Sequence, residues 1–173
     1  MGKILSLTLS TIIAIAALSS CGSSECFDNQ STLPLAGFYS MQTRTAITVD
    51  SLTVYGIGAP GDSILVDNGK GNSLYMPLPL SGSSTSFVFH YNQKRLNYIE
   101  LNDTIAMSYE SSPQFVSNEC GVIYKYKVKE FSYTKHLIDS VAIPTMEFNN
   151  KDIETIQIYF RTASEGRKNI SYY

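Results

Sequence analysis

The chain has 173 residues, a one-domain length, with 16% charged side chains, a formal charge of −2, 12 Tyr, 8 Phe and no Trp. That charge excludes a protein that binds nucleic acid through bulk electrostatics, and the apolar content excludes a disordered chain. The apolar runs are too short for an integral membrane protein, and nothing in the composition names a reaction.

Residues 1–20 read as an address. Lys3 is followed by the apolar stretch 4–18, diluted by Ser6, Thr8, Ser10 and Thr11, and then by Ser19, Ser20 and Cys21. A basic start, a short apolar region and small residues at a cut site make a secretory signal rather than a spanning helix. Residues 21–25 then form a short tether through Gly22-Ser23-Ser24. Beyond it, two cysteines remain, Cys26 and Cys120. In an oxidising compartment they invite one disulfide. Closing a loop of roughly 90 residues, it would stabilise by ~4–5 kcal/mol before strain is subtracted. Two separate buried thiols are the alternative, and two isolated cysteines without a nearby His make a poor metal site.

The mature chain shows period-two runs cut by Gly, Pro, Asn and Asp, which predict strands in order at 37–47, 52–57, 64–66, 74–76, 84–91, 98–101, 104–109, 122–131, 138–143 and 153–160. The turn composition of 67–72 predicts a hairpin joining the third and fourth. Pro77 and Pro79 confine their segment to a sheet edge or a loop. Short strands with frequent turns predict one all-β domain over 26–163: an immunoglobulin-like β-sandwich of about eight or nine antiparallel strands, or a small up-and-down barrel, with a tail at 164–173. Its core should include Val54, Phe87, Phe89, Tyr126, Val128, Ile156 and Ile158.

Motifs for chemistry are thin. Gly56-Ile57-Gly58-Ala59-Pro60-Gly61 matches a dinucleotide fingerprint, but a β-branched run follows where a helix is required. His90 and His136 stand outside any zinc spacing, and no Ser occupies a nucleophile elbow. Asp152 and Glu154 read as a solvated pair at a strand entry. Lys125, Lys127 and Lys129 alternate with Tyr124, Tyr126 and Val128, which predicts a cationic outer face that guards a sheet edge or, less simply, meets an acidic partner. No catalytic residue, metal or cofactor is expected. Asp-Ser/Thr-aliphatic recurs at Ser51, Ser63, Thr104 and Ser140, which turn chemistry at strand starts explains.

Three resemblances add to this reading. Leu18-Ser19-Ser20-Cys21 resembles the lipobox of bacterial lipoproteins, which implies acylation of Cys21 after cleavage behind Ser20; the plain alternative is an ordinary secretory signal. The Asp-Ser/Thr-aliphatic echo resembles the O-glycosylation acceptor of exported Bacteroidetes proteins, which implies sugar on Ser51, Ser63, Thr104 and Ser140. Cys26, the run from Asp50 to Gly56, Pro77-Leu78, Phe115-Val116-Ser117, Glu119-Cys120-Gly121, Tyr124 and Tyr126 together resemble small Bacteroidetes lipoproteins with a domain of unknown function. These imply anchoring by lipid in the outer membrane, facing the periplasm or, alternatively, the cell surface. The expected role is a non-catalytic module that binds another envelope protein or assists envelope assembly. A glycan-binding accessory lipoprotein is the alternative, and a hydrolase with a dispersed site ranks last.

Overall fold

The computed structural model describes residues 32–58, 63–118, 121–151 and 153–162. Among the described residues ten strands run in chain order: β1 (Leu35–Ser40), β2 (Val49–Gly56), β3 (Ile64–Gly71), β4 (Ser73–Tyr75), β5 (Ser84–Tyr91), β6 (Asp103–Ser117), β7 (Gly121–Tyr133), β8 (Ile138–Ala142), β9 (Glu147–Phe148) and β10 (Glu154–Phe160). They form a four-stranded sheet, β4-β1-β10-β8, packed on a six-stranded sheet, β3-β2-β5-β6-β7-β9. The all-β sandwich is as expected. Two details differ: β9 is added, and the pairing of β1 with β10 is parallel, not antiparallel.

Alternation builds the core. In β5, Phe87, Phe89 and Tyr91 point inward, and in β10 Ile156, Ile158 and Phe160 do the same from the facing sheet. Every core residue named from the sequence is buried. Phe38 and Phe160 meet edge to face at 5.4 Å across the parallel pair, and Tyr109 meets Tyr126 likewise at 5.5 Å. Those two tyrosines donate their hydroxyls to the carbonyls of Pro79 (2.7 Å) and Leu78 (3.2 Å), fixing the loop after β4 as a lid on that end. Pro77 and Pro79 thus lie in a loop, where no ladder needs their missing N–H.

Three local expectations are corrected. The expected turn at 67–72 is instead the continuation of β3, with Asn68 held at φ 43 as a bulge against β2. Asn tolerates this left-handed conformation, so its presence marked a bulge and not a hairpin. The chain then changes sheets: Asn72 accepts from the Phe38 N–H at 2.8 Å, and β4 pairs with β1. Residues 41–45 close a tight turn instead of extending the first strand, with the Ser40 N–H donating to Thr45 O at 2.9 Å. The expected strand at 98–101 is a short 3-10 turn, Ile99–Leu101.

Asp103 keys the other end. Wholly buried, its carboxylate accepts from the Tyr91 hydroxyl (2.8 Å), the Thr134 hydroxyl (3.0 Å) and the backbone N–H groups of His136, Leu137 and Ile138, each at 2.8 Å. Charge-assisted bonds of this kind offset the desolvation of a buried carboxylate. They also hold the crossover from β7 in one sheet to β8 in the other.

Candidate functional site

The outer face of the four-stranded sheet carries an organised cluster of half-buried side chains. Period two turns Ala36 and Phe38 of β1 inward and leaves Gly37 and Tyr39 outward; in β10 it leaves Gln157 and Tyr159 outward. The parallel register sets Gly37 beside Gln157 and Tyr39 beside Tyr159. The two rings lie 5.5 Å apart at 36°. Tyr39 donates its hydroxyl to both carboxylate oxygens of Glu154 at 2.8 Å. Gln157 adds an amide N–H to the same carboxylate at 3.0 Å and accepts from the Tyr159 hydroxyl at 2.9 Å.

Gly37 makes this close approach possible. A Cβ there would fall 1.9 Å from a Glu154 oxygen and 3.0 Å from the Tyr39 ring, so only glycine lets both lie across the strand. Glu154 is therefore not the solvated strand-entry acid expected from the sequence; it is bonded into the face. The bond to Glu154, followed by burial and the neighbouring negative charge, raises the Tyr39 phenol above its usual pKa.

Arg44 completes the cluster. It sits at φ 59 in the turn after β1, and its guanidinium lies 4.6 Å from the centre of the Tyr159 ring. Among the described residues the ion pairs are Lys70–Asp50, Lys129–Glu110 and Arg161–Asp139, and none involves Arg44. The result is a pre-ordered row of half-buried Tyr39 and Tyr159 and exposed Arg44. Such a surface suits recognition by stacking and by hydrogen bonds to an acceptor. Sequence reasoning missed it because β1 and β10 lie at opposite ends of the chain. The alternation of Gln157 and Tyr159 with Ile158 and Phe160, and the glycine at 37, were the available signals.

The residues singled out from the sequence are scattered. Cys21, Cys26 and Cys120 lie outside the described residues, as do Asp62 and Asp152. Ser51 sits inside β2 at φ 56, donating to Asp50 at 3.2 Å, and Thr104 and Ser140 lie within β6 and β8. Only Ser63, exposed just before β3, stands at a strand entry in the open. Turn chemistry at strand starts thus does not explain the echo as a whole. The aspartates of three copies serve the fold: Asp50 pairs with Lys70, Asp139 with Arg161, and Asp103 is the buried key.

His90 bonds Asn102 through Nδ1 at 2.8 Å, while the backbone of His136 donates to Asp103 and accepts from Arg161. Gly58, at φ 71, is followed by the strand β3, not a helix. Lys127 and Lys129 are exposed opposite buried Tyr126 and Val128, as period two required. Lys129 also bonds Glu110 at 2.7 Å and thereby lowers the pKa of that carboxylate. Among the described residues no three His, Cys, Asp or Glu side chains gather at metal-binding distance, and no helix is long and apolar enough to cross a membrane.

A family model, described as a family of unknown function (DUF6452), matches residues 51–160, well over half of the chain. The chain belongs to this family. The matched DUF6452 region starts within β2 and ends with β10, so it omits β1, although β1 lies between β4 and β10 in the sheet. No curated protein and no solved structure matches the chain.

Proposed function

We propose that this DUF6452 chain is a lipid-anchored, non-catalytic binding module of a bacterial cell envelope of the Bacteroidetes type, held by Cys21 in the outer membrane and facing the periplasm. Its partner is another envelope protein. The observation that carries this reading is the fixed row of Tyr39, Tyr159 and Arg44 on an open sheet face. Tyrosine and arginine dominate the energetic centres of protein interfaces because they offer much contact area with little freedom to lose. Here the contact of Arg44 with the Tyr159 ring and the Glu154 network have already ordered them.

Cross-linked envelopes bearing the wild-type protein should yield one stoichiometric protein partner, and Arg44→Ala with Tyr159→Ala should release it. An unchanged yield from that pair of substitutions would remove the face from the interface. Labelling cells with a clickable fatty acid tests the anchor: equal labelling of Cys21→Ala would refute it. A Cys26–Cys120 disulfide is part of the proposal, and alkylation of both thiols in folded, exported protein would count against it. Of the four Asp-Ser/Thr positions, Ser63 is the most exposed.

A second reading, a glycan-binding accessory protein, draws support from the same cluster. Two tyrosine rings beside a carboxylate and an amide are the groups that meet the C–H face and hydroxyls of a pyranose. A glycan-array signal lost in Tyr39→Ala, without a protein partner, would favour it.

A further inference from the structure

The β6–β7 hairpin runs on past the sandwich. Its register is unbroken from Tyr109–Val128 to Phe115–Val122, so the face that carries Tyr109, Tyr126 and Val128 into the core continues as Pro113, Phe115, Tyr124 and Val122. On this projecting arm Phe115 is 62% exposed, Val122 54% and Tyr124 36%. Single exposed apolar side chains are ordinary, but a cross-strand set on one face of a projecting hairpin forms a contiguous patch. Lys125 and Lys127 occupy the opposite face of the same two strands. Alongside the arm, residues 149–151 line a depression of about 290 Å³ with Gln114, Val116, Ile123 and Lys125. Ile153, just before β10, is also exposed.

The chain enters the described sandwich at this end. Pro34 accepts from the Met76 N–H at 2.9 Å, and two residues later Leu78 accepts from the hydroxyl of Tyr126. Tyr126 stands two residues from Tyr124 on the arm. From Thr32 back to Cys21 the contour is at most about 40 Å. A lipid on Cys21 therefore holds the arm, rather than the Asp103 end, close to the bilayer, at the high effective concentration a short tether gives.

We propose that the apolar face of this arm, Pro113, Phe115, Val122 and Tyr124, rests in the interfacial layer of the bilayer that holds the anchor, with Lys125 and Lys127 turned to the water on the opposite face. The inference rests on the lipid anchor proposed above. Tyrosine is a side chain that settles at such an interface, and a partly inserted apolar face sits about 5–10 Å deep. The contact would set the orientation of the sandwich and leave the Tyr39–Tyr159 face free at its side.

Because the chain lacks Trp, a single introduced tryptophan reports its own surroundings. Phe115→Trp places it on the arm, and Ile99→Trp places it at the far end of the hairpin, where Ile99 is 76% exposed. The lipidated protein is reconstituted into phosphatidylcholine–phosphatidylglycerol vesicles containing brominated lipid. Emission from Phe115→Trp should shift to the blue and fall roughly twofold, as expected for insertion at interfacial depth, while Ile99→Trp is unaffected. Quenching of neither, or of Ile99→Trp alone, overturns the proposal. So does a blue shift of Phe115→Trp that requires added envelope protein, which would assign the arm to a protein partner. Failure of the anchor reads separately, as protein without acyl mass that does not float with vesicles. In that event an N-terminal histidine tag on nickel-chelating lipid supplies the tether, and the same quenching ratio decides the fate of the arm.

Discussion

The two halves of the β6–β7 hairpin share strands and alternation, with the register shifting once between Ser108 and Tyr109, yet they live under opposite conditions. Around Asp103, Ile105 and Met107 the inward face is sealed beneath the four-stranded sheet. Around Phe115 and Val122 the same face lies open. A period-two pattern therefore says which side chains share a face, but a second layer decides whether that face is buried. The difference also separates tasks. Sealed residues hold the sandwich together, and open ones are available for contact.

The largest test of the sealed half is Asp103→Ala. It removes the acceptor of two hydroxyls and three backbone N–H groups, of which the Tyr91 hydroxyl and the Ile138 N–H are left buried and the others half-buried. Each unsatisfied group costs about 1–3 kcal/mol, so the expected loss exceeds about 4 kcal/mol, read from the denaturant midpoint. A loss below about 1 kcal/mol would show that the β7–β8 crossover has other support. Next comes Phe89→Ala, at a fully buried position paired with Val54 and Asp103. Deleting its ring should cost about 3–5 kcal/mol.

Smaller effects belong to the exposed faces. Glu154→Gln weakens the hydrogen bond to the Tyr39 phenol and removes the adjacent charge, so the titration of Tyr39 should move down towards 10, visible by ultraviolet absorbance. Since the phenol is protonated more readily in the folded state, its contribution to stability is complete below pH 10 and is lost as pH rises through the elevated value. Glu154→Gln should flatten that alkaline decline. Smallest is Phe115→Ser, which should change stability by less than about 0.5 kcal/mol, because no core contact is lost. A cost of several kcal/mol would show that the arm is sealed after all.

Much of the architecture was legible in the chain. Alternation at 84–91 and 153–160 marked inward faces because burial on one side of a strand selects every second residue. The glycine, proline and asparagine punctuation marked interruptions but not their kind. Asn68 produced a bulge where a turn was expected, since the same left-handed tolerance serves both. The binding face stayed hidden for a different reason. Tyr39 and Glu154 bond across 115 positions of sequence, and only the parallel pairing of β1 with β10 makes them neighbours.

Strand content, the identity of the core and the absence of bulk charge were thus settled by local chemistry: side-chain shape, polarity and period act over a few residues and can be read in place. Strand order, the sheet change at Asn72, the five bonds to Asp103 and the uncovered arm were settled by the tertiary structure alone. They depend on which distant strands pair and how far each sheet extends, and the entropy of closing those long loops is recovered only when the whole sandwich has formed.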